Sequence, residues 1–139
     1  MSDRKRILLV SRDLMVLQTR RLMLGAYFDV CSAGRALEAR MFLEKQAFDL
    51  IVLCYTLTED ECQNIVDAAR ERCPQARILM LTVTGSAASE TAIHPHLPAE
   101  GGPFLLVKKS AELLGFEFRS KGRMVPAPEP SVMEASSVA

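Results

Sequence analysis

Short apolar runs and longer amphipathic stretches alternate along most of the chain. Ile7-Leu8-Leu9-Val10 is a continuous apolar run, the pattern of a strand covered on both faces. From Asp13 to about Ala26 the spacing becomes helical, and Met15, Thr19, Leu22, Met23 and Ala26 gather on one face as the expected core stripe. Phe28 to Cys31 reads as a second short strand. Arg35 to Lys45 reads as the next helix, with Ala36, Ala39 and Leu43 on its inner face. Asp49 to Cys54 (DLIVLC) is the most hydrophobic strand and is expected at the centre of a sheet. Thr58-Glu59-Asp60-Glu61 has the S/T-x-x-E form of a capping box. The helix behind it places Cys62, Ile65, Val66, Ala69 and Cys73 on one stripe before Pro74 ends it. Arg77 to Thr82 (RILMLT) predicts a fourth strand, Phe104 to Val107 (FLLV) a fifth, and Ser110 to about Phe118 a short last helix.

This rhythm predicts βαβ units, and so a parallel sheet with helices on both faces. Between Thr82 and Phe104 the pattern fails. Ala87 to Ile93 has a short helical pattern, but His94-Pro95-His96-Leu97-Pro98 and Gly101-Gly102-Pro103 break the chain after it. The last helix is truncated, with Gly115 inside it. Beyond about Lys121, Pro and Ser dominate without an apolar period. The expected organisation is a domain over 1–118 and a disordered tail over 119–139.

Composition narrows the function classes. At 139 residues, 49% of them hydrophobic, the chain suits one core. Seventeen basic residues balance seventeen acidic ones, so no net field attracts nucleic acid or an anionic membrane. The local cluster Arg4-Lys5-Arg6 is too short for a nucleic-acid arm and reads as solvated. The first apolar run is only four residues long, too short for a signal peptide, and nothing approaches the ~20 apolar residues of a membrane span. Cys31, Cys54, Cys62 and Cys73 form no CxxC pair or metal spacing and are expected as reduced, mostly buried thiols. A soluble cytoplasmic protein is the expectation. His94 and His96 lie between prolines with no carboxylate partner in view, so a surface loop is expected there in place of a metal or phosphotransfer site.

The segments ILLV with Ser11-Arg12-Asp13 after it, then FDLIVLC, ARILMLT and FLLVKK, resemble in order and spacing a CheY-like receiver domain, the phosphorylatable half of bacterial response regulators. The resemblance covers roughly Arg6 to Leu114. It implies a flavodoxin-like three-layer α/β sandwich with a five-stranded parallel sheet in the order 2-1-3-4-5, here with an irregular last α/β unit. In such sheets ligands bind beyond the carboxyl ends of the strands. The family holds magnesium with two acidic residues after the first strand and phosphorylates an aspartate ending the third. A Thr or Ser ends the fourth strand and a Lys the fifth.

Thr82 and Lys108 match this pattern. The acidic pair instead corresponds to Ser11 and Arg12, and the acceptor position to Cys54. The segment after the acceptor is Tyr55-Thr56-Leu57-Thr58, without the family's Met-Pro and Asp-Gly features. Magnesium prefers hard oxygen ligands. Two like unit charges ~4 Å apart repel by roughly 4 kcal/mol at an effective dielectric of ~20, and a divalent ion doubles that. Arg12 is therefore expected to oppose the metal or to stand in its place. Without metal, phosphoryl transfer loses its main electrostatic stabilisation. Asp13 is expected to open the first helix. Asp49 lies five residues before Cys54 on the same strand, ~16 Å away. Neither is a replacement acceptor.

Taken with the resemblance, the residues imply a degenerate phosphoacceptor pocket of Ser11, Arg12, Asp13, Cys54, Thr82 and Lys108, with no bound metal and no cofactor. The expected function is non-enzymatic: a stand-alone pseudo-receiver acting by phosphorylation-independent protein interaction. Its partner would be a signalling protein or another copy of the chain. No glycine-rich phosphate loop, nucleophile elbow or zinc spacing supports an enzyme. Leu17 and Leu24, opposite the expected core stripe of the first helix, are the candidate partner surface. The alternatives are a thiol switch at Cys54, with Arg12 and Lys108 as nearby cations, and an atypical phosphoacceptor in a phosphorelay.

Overall fold

The computed structural model describes residues 4–82, 96–98, 102–119 and 123–126. Four strands with helices between them match the hydrophobic pattern closely: β1 (Arg6–Val10), α1 (Leu14–Gly25), β2 (Asp29–Ala33), α2 (Ala36–Lys45), β3 (Leu50–Leu53), α3 (Glu59–Arg72) and β4 (Arg77–Thr82). Then come β5 (His96–Pro98), α4 (Gly102–Leu113) and a hairpin, β6 (Phe116–Arg119) and β7 (Arg123–Pro126). The five-stranded sheet has the order β2-β1-β3-β4-β5 and every pair in it is parallel. This is the flavodoxin-like order that the resemblance implied.

Strand alternation divides the core into two layers. Leu8, Val10, Ile51, Leu53 and Ile78 face α2 and α3, meeting Ala39, Leu43, Ile65, Val66 and Ala69. Ile7, Leu9, Leu50, Val52, Leu79 and Leu81 face the other way, onto Leu17 and Leu24 of α1 and Leu106, Val107 and Ala111 of α4. The capping box forms as predicted: the Thr58 hydroxyl accepts the Glu61 N–H, and the Glu61 carboxylate accepts the Thr58 N–H.

The first helix is rotated from its expected orientation. Leu17 and Leu24 are buried, Leu24 completely, whereas Met15 and Leu22 are 80% and 71% exposed. Leu17 and Leu24 are therefore core residues and no partner surface. The stretch from Leu14 to Leu24 carries apolar residues on both sides, so two stripes compete. The buried stripe includes Arg20, whose long apolar stem packs inward while its guanidinium finds a specific acceptor.

The carboxyl-terminal third departs further. Phe104 to Val107 is helical, and the fifth strand is His96–Pro98 instead. A four-residue apolar run fits either element; burial at 106, 107, 110 and 111, with 104, 105 and 108 exposed, is a helical period. Pro103 falls in the first turn, where its missing N–H removes no helical bond. Gly115, at φ +88°, ends α4 where the sequence suggests helix as far as Phe118. The chain then reverses into β6, which pairs antiparallel with β7. Phe116 and Met124 pack against the second core layer, so ordered structure extends past 118 into the segment expected as tail. The helical pattern at 87–93, His94, and residues 127–139 lie outside the described residues.

Candidate functional site

The carboxyl edge of the sheet gathers part of the expected pocket. Pairing continues one residue past the strands: the Ser11 N–H donates to Ala33 O at 3.1 Å, and the Cys54 N–H donates to Val10 O at 3.0 Å. Ser11 and Cys54 are thereby fixed side by side at the ends of β1 and β3. Both are buried, Cys54 to 1% exposure. At the opposite edge, Asp49 accepts the Arg6 N–H at 2.8 Å, which places it away from Cys54 as expected.

Thr56 ties the two loops together. Its hydroxyl oxygen accepts the Arg12 N–H at 2.9 Å and lies 3.3 Å from the Ser11 hydroxyl oxygen. Ser11 Oγ in turn accepts the Asp13 N–H at 3.2 Å. Asp13 caps α1: Oδ1 accepts the N–H groups of Met15 and Val16 at 3.1 and 3.2 Å. That carboxylate is engaged by the helix start, as its position in the sequence suggests.

The cation beside the sulfur differs from the expectation. Arg12 turns outward and pairs with Glu61, Nη1 to Oε1 at 3.4 Å, its side chain about half exposed. Lys108 lies exposed on α4, not at a strand end, because the segment that contains it is helical. Instead Arg20 of α1, 8% exposed, directs Nη1 to Cys54 Sγ at 3.1 Å. Thr82 ends β4 as predicted, half-buried and in register with Pro98 of β5.

Burial pushes the Cys54 thiol up, but the Thr56 N–H, the Ser11 hydroxyl, the Arg20 guanidinium and the Thr56 hydroxyl together outweigh it, and the net shift is downward. Cys62 behaves oppositely. Burial first, then the charges of Glu61, Cys54 and Glu59, push its thiol up to about 11. The structure thus joins Ser11, Asp13 and Cys54 in one hydrogen-bonded cluster with two residues the sequence did not point to, Arg20 and Thr56. It leaves Arg12 at the rim and Lys108 outside. Arg20 is legible only as an arginine three residues after Leu17 and four before Leu24, within one stripe. Thr56 gives no signal beyond a polar residue after the acceptor position.

No family model and no curated protein matches the sequence. Solved structures do match the fold. The chain is 23% identical to a CheY-like response regulator receiver domain protein from Methanospirillum hungatei JF-1, with TM-score 0.69, covering 81% of this chain and 94% of that one. For the Vibrio cholerae chemotaxis protein CheY4 the identity is 22% and the TM-score 0.67, over 79% of this chain and 98% of that one. A response regulator receiver protein from Sinorhizobium medicae WSM419 matches at 20% identity and TM-score 0.66, over 81% and 95%. The fold of this chain is that of the CheY-like receiver domain.

Proposed function

We propose that this chain is a pseudo-receiver: a non-enzymatic cytoplasmic signalling module that contacts a protein partner without being phosphorylated. The observation that carries the reading is the Arg20–Cys54 contact, a guanidinium held against a sulfur where a receiver needs a carboxylate facing a divalent cation. The donors around it do not suit magnesium. They are two hydroxyls, a sulfur and a positive charge, whereas magnesium is bound through carboxylate and water oxygens. Asp13 is engaged as a helix cap, and Glu61 by its own capping box and by Arg12. Among the described residues no helix is long and apolar enough to cross a membrane.

Three measurements test the proposal. Incubation with acetyl phosphate and magnesium, then intact mass, is expected to leave the mass unchanged; a phosphoryl adduct overturns the reading. Beryllofluoride with magnesium is expected to leave the amide resonances of Ser11, Cys54 and Thr56 in place. Sedimentation velocity with and without acetyl phosphate addresses a second copy as the partner, and an unchanged distribution is expected.

A further inference from the structure

We propose that Cys54 and Arg20 form a buried thiolate–guanidinium pair that hydroperoxides oxidise, making the carboxyl edge of the sheet a peroxide-responsive modification site. This goes beyond the partner-binding reading and stands or falls separately from it.

Arg20, more than the cysteine, sets the charge of this site. A guanidinium keeps its proton in proteins, and a buried charge without a counter-charge is strongly unfavourable. Arg20 is more than nine-tenths buried and pairs with no carboxylate among the described residues. Its one side-chain hydrogen bond among them goes to Cys54 Sγ. The compensating negative charge therefore falls to the sulfur. Ser11 and Thr56 add neutral donors, which also favour an anion. Cys54 thus has what makes a thiol nucleophilic, a cation and donors directed at the sulfur. Cys62 has the reverse: with its thiol at about 11, only about one molecule in ten thousand is thiolate at pH 7.

In the oxidation, a sulfur lone pair of the thiolate attacks one oxygen of the hydroperoxide; the S–O bond forms as the O–O bond breaks. The leaving hydroxide or alkoxide takes the proton carried by the transferred oxygen. Sulfur is oxidised by two electrons to sulfenate, and the peroxide is reduced to water or an alcohol. The new oxygen carries the negative charge next to a guanidinium that has further N–H donors to offer it. At 1% exposure the sulfur is closed to bulky electrophiles, which favours hydrogen peroxide, little larger than water, among oxidants.

The test uses the full chain, reduced and desalted, treated at pH 7 with hydrogen peroxide, quenched with catalase, unfolded in urea containing dimedone so that every sulfenate is reachable, and then mapped by peptide mass. Cys54 is expected to carry at least ~10-fold more adduct than the more exposed Cys31 and Cys62. A bulky maleimide applied to the native protein is expected to label Cys31 and Cys62 first. Arg20→Met is expected to slow oxidation at Cys54 at least ~10-fold, and Arg20→Lys to retain part of the rate. Thiolate absorbance at 240 nm, pH 7, is expected to fall in Cys54→Ser. Adducts that track exposure, with Cys31 or Cys62 ahead of Cys54, overturn the proposal, and so does unchanged absorbance in Cys54→Ser. Both of these measurements use proteins that keep Arg20, so they decide between the outcomes even if Arg20→Met does not fold.

Discussion

Leu24→Ala and Leu22→Ala separate the two orientations of α1 that its sequence allows. Leu24 is fully buried among Ile7, Leu9 and Phe28 of the second core layer, so truncation removes its contacts and leaves a cavity. Leu→Ala at such sites costs about 2–5 kcal/mol, and complete burial argues for about 3. Leu22 is 71% exposed and both residues are good helix formers, so its truncation should stay within about 0.5 kcal/mol. With a urea m-value of about 1.5 kcal/mol per molar, Leu24→Ala should lower the midpoint by about 2 M, and Leu22→Ala by less than about 0.4 M. Equilibrium urea unfolding monitored by far-UV circular dichroism reads both. Equal shifts, or a larger one for Leu22→Ala, would refute the burial assignment and return α1 to the face drawn from its sequence. The pair also decides how partner mapping must be done. A charge at position 24 would unfold the domain, whereas Leu22→Glu tests the proposed partner contact at the surface itself.

Three further outcomes rest on the same physics. Gly115→Ala puts a side chain at φ +88° with open space around it, so backbone strain alone should destabilise by about 1 kcal/mol, measurable as a lower urea midpoint. Thr58→Ala removes one half of the α3 capping box and should cost about 1 kcal/mol in the same assay, with Thr58→Ser recovering most of it. The pH dependence has two signs. Because the folded Cys54 thiol lies below its unfolded value of 9.0, the unfolded chain holds the extra proton between them. The stability advantage of the native protein over Cys54→Ser should therefore grow as pH rises towards 9 and be lost on acidification. Cys62, raised to about 11, should contribute stability that is full below pH 9 and lost as pH rises from 9 to 11, so alkaline unfolding should be less steep in Cys62→Ala.

The sheet is legible where the pattern has only one solution. ILLV, LIVL and RILMLT are short, uniformly apolar runs separated by amphipathic segments, so they read as strands of a parallel sheet, and the resemblance to receiver domains implied the flavodoxin-like order. Thr58 and Glu61 announce their capping box because both partners lie in the local sequence. FLLV misleads because a four-residue apolar run has no period of its own. The burial of Ser110 and Ala111, one turn further on, makes it helix. On α1 the misleading feature is Arg20 itself: counting arginine as polar makes 17-20-24 look like the outer stripe. That one assignment also hides the main contact of the site, since the partner of Cys54 lies 34 residues away on another element.

The charge at this end of the sheet explains why Arg20 belongs to the core stripe at all. A receiver of the aspartate type would concentrate several carboxylates there and need a divalent ion to hold them. Here the positions after β1 are a hydroxyl and a guanidinium, the second drawn out to Glu61 at the mouth of α3. The thiolate proposed at Cys54 needs only one positive charge, and a side chain from α1 can supply it without a metal. A tethered cation differs from a bound one in that it cannot dissociate, so its effect changes only if the sulfur changes. On this reading α1 is coupled directly to the chemical state of Cys54, through a contact of 3.1 Å that oxidation must rearrange because an oxygen would then stand on the sulfur. The outer side of the same helix exposes Leu14, Met15 and Leu22. A rearrangement at Arg20 therefore has a short mechanical route, across one helix, to an apolar surface.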